Sequence, residues 1–190
     1  MTTVLAAWST CKSDKETRGM ATNNKNESPW QSKTFYSVTE LLEYEADSPL
    51  RAETFDETLY SLLMDHHWGD RLPNSVWSYL AQRIVQYAVV TGGFEHVLAQ
   101  PNTMATAADV YRKWGRNEAA TAIEAALEER ATWQLGNKIV IRDVYDYFDE
   151  NPEAANSIVE LERSVSYEQW RANPERLAHV REHREDFLGL

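Results

Sequence analysis

The sequence predicts an all-α fold: a compact single-domain bundle of six to eight helices, preceded by a disordered or loosely attached N-terminal arm. Three observations carry that expectation. From about Ser37 onward, apolar residues recur at the three- and four-residue spacing of a helix face. Pro and Gly fall between the periodic stretches, where they start and stop helices. The one strand-like run, Ile139-Val140-Ile141, has no partner with which to form a sheet, so it reads as the lead-in to a helix.

The elements follow in chain order. Residues 1–35 concentrate Ser, Thr and Asn without apolar periodicity and read as the arm, leaving 36–190 as the folded domain. Val38, Leu41, Leu42 and Glu45 predict a short first helix. Phe55, Leu59, Leu62 and Leu63 mark a second, which His66-His67-Trp68 is expected to close, cationic His suiting a helix C-terminus. Pro73 opens a third with the stripe Val76, Trp77, Leu80, Ile84, Tyr87 and Ala88, stopped by Gly92-Gly93. Pro101 opens the next, through Met104, Ala108, Tyr111 and Trp114 to Gly115. Asn117 is the expected N-cap of an Ala-rich helix that turns Ala120, Ile123, Ala126 and Leu127 inward. Tyr147 and Phe148 continue the helix entered at Ile139, Pro152 starts another, and Asn173-Pro174 starts the last, carrying Leu177, Val180, Phe187 and Leu188.

Composition excludes several classes of function. The 190 residues hold 19 Lys+Arg against 30 Asp+Glu, a net charge of −11, which argues against direct nucleic-acid binding because phosphate contacts need cations. The arm is the exception: residues 1–33 carry five bases and three acids, so the remaining 157 residues have 14 bases, 27 acids and a net charge of −13. One Cys gives no intrachain disulfide framework and fits a reducing compartment. No apolar run approaches the ~20 residues of a membrane span, and Val4-Leu5-Ala6-Ala7-Trp8 is too short for a secretory signal. The expected location is the cytoplasm.

One stretch carries a resemblance. An aromatic-rich helix leads into Thr91-Gly92-Gly93-Phe94-Glu95-His96, then a Pro-Asn turn, a helix ending Trp114-Gly115, and the Ala-rich helix from Glu118 to Leu127. This arrangement resembles the DNA mimic protein 19 family, whose hallmark is a helix ending in Asn-Gly-Gly-Phe, over residues 50–190. Gly92, Gly93 and Phe94 match the centre of that hallmark, while Thr91 and His96 stand where the family carries Asn and Gln. The resemblance implies a non-enzymatic homodimer that regulates a DNA-binding protein by covering its basic surface. The triplet itself has a folding explanation. Two glycines permit positive φ and close helix approach, and Phe94 plugs the core below.

No catalytic residue or cofactor is expected. His179-Val180-Arg181-Glu182-His183 fits the H-x-x-E-H pattern of inverted zinc peptidases. Only seven residues follow it to supply a third ligand, Arg181 and Arg184 flank it, and on a helical wheel both histidines drift off the apolar stripe. They are therefore expected as a surface pair holding no metal. Cys11 lies in the arm without a neighbouring His, and Gly92-Gly93 lacks the residues of a phosphate-binding loop.

The acids are left. Asp143, Asp146, Asp149, Glu150, Glu153, Glu160 and Glu162 form a run with no intervening base, and a second cluster runs Glu40, Glu43, Glu45, Asp47, Glu53, Asp56 and Glu57. Charge runs commonly only solvate a face. The functional alternative is that rigid helices present the 143–162 carboxylates to a basic protein as DNA presents one charge per ~1.7 Å. Asp143, Asp146, Glu150 and Glu153 would form one stripe if Asn151-Pro152 did not break the helix. Three readings follow: a DNA mimic occupying a DNA-binding protein, an immunity or antitoxin-like inhibitor of one cognate toxin, and a zinc protein built on His179 and His183.

Overall fold

The computed structural model describes residues 34–65, 72–133, 135, 139–188 and 190, and every regular element among them is helical. The helices are α1 (Val38–Asp47), α2 (Ala52–Asp65), α3 (Asn74–Thr91), α4 (Glu95–Leu98), α5 (Pro101–Lys113), α6 (Asn117–Ala131), α7 (Ile141–Glu150), α8 (Pro152–Arg163), α9 (Tyr167–Trp170), α10 (Asn173–Glu182) and α11 (Arg184–Leu188). Eight of these answer to the periodic stretches of the sequence. The additions are short: α4 and α9 are too brief to show a period, and α11 arises because the last expected helix breaks at His183. No helix among the described residues is long and apolar enough to cross a membrane. The helices group into two compact units, one running to Leu72 and including Phe187–Leu190, the other Pro73–Asp186.

In the first unit, Ser37 sits extended before α1 and its Oγ accepts the Glu40 N–H at 3.1 Å, a capping bond that satisfies one orphan donor. Val38, Leu41 and Leu42 of α1 are buried, as are Phe55, Leu59 and Leu63 of α2 and the outlying Phe187. Thr39 donates its hydroxyl to the Leu188 carbonyl at 3.1 Å. Residues 1–33 of the expected arm, with Cys11, and the His66-His67-Trp68 cluster lie outside the described residues.

In the second unit, α3, α5 and α6 pack in succession, with α8 against α6, α4 between α5 and α7, and α10 against α3. Small side chains make the close approach possible: Ala107 and Ala108 of α5 and Ala119, Ala120, Ala122 and Ala126 of α6 are all buried. Met104, Tyr111, Ile123 and Phe94 fill the spaces between helices. Trp170 closes one end of this core, meeting Phe94 and Tyr111 edge-on at 5.4 and 5.8 Å and accepting the Tyr111 hydroxyl at its carbonyl at 2.9 Å.

Two local expectations are corrected. Asn117 is the first residue of α6, and Arg116 stands at the cap position with its guanidinium turned to Glu175 and the Glu168 carbonyl. Tyr87, expected on the apolar stripe of α3, is exposed, while Gln82 and Gln86 of the same helix are buried. The reason is Arg176 of α10, fully buried against that face. It donates to the side-chain carbonyls of Gln82 (2.5 Å), Gln86 and Asn173. A buried guanidinium demands acceptors, so α3 turns its two amides inward where apolar periodicity alone would place Tyr87.

That network makes a measurable claim. Arg176→Ala leaves three buried amide groups without their donor and, at about 1–3 kcal/mol for each unsatisfied group, should lower the unfolding free energy by at least about 3 kcal/mol. Removal of the exposed Arg142, which pairs with Asp146 at 3.6 Å, should change it by less than about 0.5 kcal/mol. Urea denaturation of the two variants checks both figures.

Candidate functional site

The acidic run is carried by α7 and α8, and the structure sorts its seven carboxylates by what each touches. α7 is strongly amphipathic. Val144 is buried, and Tyr147 and Phe148 pack on Trp133 at 4.7 and 5.3 Å, which turns the acids of α7 outward. Asp143 is used locally: its carboxylate accepts the Val140 N–H at 2.7 Å and closes the first turn of the helix. Asp146 is exposed and faces Arg142 one turn back. Asp149, Glu150, Glu153 and Glu160 are exposed.

Asn151 ends α7, donating both its backbone N–H and its side-chain amide to the Tyr147 carbonyl at 2.9 Å, and Pro152 starts α8. The stripe Asp143–Asp146–Glu150–Glu153 is therefore divided between two helices. At the junction lies a groove of about 480 Å³ lined by Glu129, Tyr147, Glu150, Asn151, Glu153 and Ser157. Glu129 of α6 thus joins Glu150 and Glu153, a convergence of three carboxylates that the sequence reading missed. In the sequence Glu129 is followed by Arg130, which looks like its neutralising neighbour. In the structure Arg130 donates Nε–H to the Leu98 carbonyl at 2.6 Å and is committed to holding α4.

Glu162 also leaves the exposed set. It is half-buried and its carboxylate accepts the Phe94 N–H at 3.0 Å, tying α8 to the turn before α4. Burial raises its carboxyl above the ordinary 4.5, and the nearby Glu95 adds to the rise, while the Phe94 N–H opposes it. In the second cluster, Glu45 and Asp56 are buried, so they do not belong to a solvated row.

The Gly92-Gly93-Phe94 turn behaves as a folding element. The N–H groups of both glycines donate to the Ala88 carbonyl at 2.8 and 2.7 Å and end α3. Gly93 has φ +99°, a conformation L side chains rarely adopt, and a Cβ there would lie 2.4 Å from a Glu95 oxygen and 2.9 Å from a Glu162 oxygen. Phe94 is fully buried.

The histidine pair requires a correction. His179 is 6% exposed, against the expectation of a surface residue, and its Nε2 lies 2.9 Å from the Ser75 carbonyl, to which it donates. Its ring meets Trp114 and His183 at centroid distances of 5.9 and 4.6 Å. Burial holds its pKa below the usual 6.5. The helical wheel misplaced it because α10 ends at Glu182: Phe187 and Leu188 belong to α11 and do not mark the buried side of α10. That side consists instead of Asn173, Arg176, Leu177, His179 and Val180.

No protein-family model, curated protein or solved structure matches the chain.

Three outcomes follow, two at the Glu162 turn and one at Gly115. A carboxyl whose folded pKa is raised favours the fold while protonated. Its contribution is present below about pH 4.5 and is lost as the pH rises through the folded value. Glu162→Gln keeps an acceptor for Phe94 without the charge, so its urea midpoint should exceed that of the wild type at pH 7, with the gain shrinking toward pH 4. Gly93→Ala should cost about 2–3 kcal/mol through backbone strain and a displaced Glu162. Gly115→Ala, at φ +75° with open space around the added Cβ, should cost only about 1 kcal/mol by the same measurement.

Proposed function

We propose that this protein is a non-enzymatic interaction module whose α7–α8 carboxylates occupy the basic surface of a DNA-binding protein and so regulate it. The observation that carries the reading is the groove where Glu129, Glu150 and Glu153 converge, with Asp149 exposed on the same helix as Glu150 and Arg130 drawn away to Leu98. Such a groove accepts a Lys or Arg side chain. Exposed carboxylates around it raise the encounter rate with a basic face and reject acidic partners. Asp146 and Glu160 extend the field along the two helices, and Asp143 and Glu162 hold those helices in place.

The reading includes a homodimer, for which Val90 and Tyr167, 50% and 54% exposed, offer apolar surface beside one depression. The immunity or antitoxin reading uses the same acids against a different basic protein and is separated from mimicry by the experiment below.

Affinity capture from extract of the source cells, run across a salt series, tests the proposal. The expected result is a DNA-binding protein that is displaced by duplex DNA and lost steeply as salt shortens the screening length below its ~8 Å physiological value. The charge-reversed variant Asp149→Lys/Glu150→Lys/Glu153→Lys should fail to capture it. A partner that resists salt and ignores duplex DNA would contradict mimicry and favour the toxin-type interface.

A further inference from the structure

We infer that His179, Glu182 and His183 form a Zn²⁺-binding site at the C-terminal end of α10, independent of the acidic surface. The three residues stand at i, i+3 and i+4, the spacing that brings side chains onto one helix face. One ligand atom from each already lies within 4.8 Å of the others. Zinc bonds of about 2.0–2.2 Å require those atoms to close by roughly another ångström. Glu182 is exposed and His183 half-buried, so closing falls to these two, and the buried His179 is the fixed member.

The surroundings orient His179 in the way a metal site requires, and place a carboxylate near His183. A ligating imidazole ordinarily gives its other ring nitrogen to a carbonyl or carboxylate, which fixes its tautomer and direction. His179 does this with Nε2 on the Ser75 carbonyl, leaving the Nδ1 lone pair for a metal. His183 has Nε2 3.9 Å from Glu182 and Nδ1 3.9 Å from Asp186. Asp186 in turn accepts the Ser75 hydroxyl at 2.6 Å. Ser75, a single residue in the first turn of α3, therefore holds His179 through its carbonyl and, through its hydroxyl, holds Asp186, the carboxylate that His183 Nδ1 would reach by moving about an ångström. A core histidine satisfied by one carbonyl accounts for His179 alone; it does not account for the second imidazole and its own carboxylate.

Two imidazoles and one carboxylate suit a borderline ion such as Zn²⁺, whereas Mg²⁺ and Ca²⁺ select oxygen donors. Glu182 serves here as a ligand and not as a base. The remaining coordination position falls to water or to a donor from a partner. Lys113, Arg181 and Arg184 are the cations in the vicinity, with Lys113 and Arg181 exposed to solvent and thus well screened. Bound zinc would fasten the end of α10 to the following turn.

The test is zinc titration of the full-length, untagged, chelator-treated chain, read by calorimetry and by metal analysis after dialysis. One Zn²⁺ per chain is expected, unaffected by excess Mg²⁺. Asp186→Asn should weaken binding ~10–100-fold as an outer partner, and His183→Gln or Glu182→Gln by more. Both ligand variants change side chains that are not buried, and circular dichroism verifies that they fold. Absence of stoichiometric zinc overturns the inference. So does zinc bound equally by the wild type and both ligand variants, since the ion then resides elsewhere in the chain.

Discussion

The larger unit depends on one buried cation. Arg176 has no access to water, so every hydrogen bond its guanidinium loses on folding must be regained from protein. Gln82, Gln86 and Asn173 supply carbonyl oxygens, which ties the rotation of α3 about its axis to that of α10. Apolar contacts tolerate small rotations and this network does not. Once α10 is fixed, His179 one turn further along must face inward, where the Ser75 carbonyl meets it. The following residues, Glu182 and His183, then project from the same helix end. The polar seam between α3 and α10 thus explains both an unusual core and the placement of the His179, Glu182 and His183 cluster.

A second tie organises the acidic face. Glu162 reaches the Phe94 N–H at the turn that ends α3, and Gly93 is required there because a side chain would occupy the space that the Glu162 and Glu95 carboxylates use. Trp133 stacks against Tyr147 of α7. Between them these contacts set α7 and α8 with their apolar residues inward, and the exposed carboxylates follow as a consequence. Two acids are therefore scaffold and the rest are surface, a division with direct meaning for recognition. Carboxylates held by rigid helices lose little conformational freedom when a cation arrives.

Helix positions were legible in the sequence because they rest on periodicity and on Pro and Gly punctuation, which are local signals. Gly92-Gly93 ends α3 and Pro152 starts α8 as the residues indicate. The lead-in reading of Ile139-Val140-Ile141 also holds: Val140 is extended and Ile141 begins the helix. What escaped was burial of polar groups. Arg176, Gln82 and His179 are inside because groups on another helix meet them, and no spacing rule encodes a partner almost a hundred residues away. For the same reason the acidic run could be counted but not sorted. Nothing near Glu162 in the sequence points to Phe94, and nothing near Glu129 shows that Arg130 is engaged elsewhere.

On the proposed function, recognition charge is concentrated at the α7–α8 groove, apart from the carboxylates that hold the fold. Titrating the isotope-labelled protein with a short arginine-rich peptide, while following side-chain carboxylate resonances by NMR, tests it most directly. Glu129, Glu150 and Glu153 are expected to shift first and furthest, with Asp143 and Glu162 unmoved. Uniform shifts over all acids, or a response led by Glu162, would contradict it.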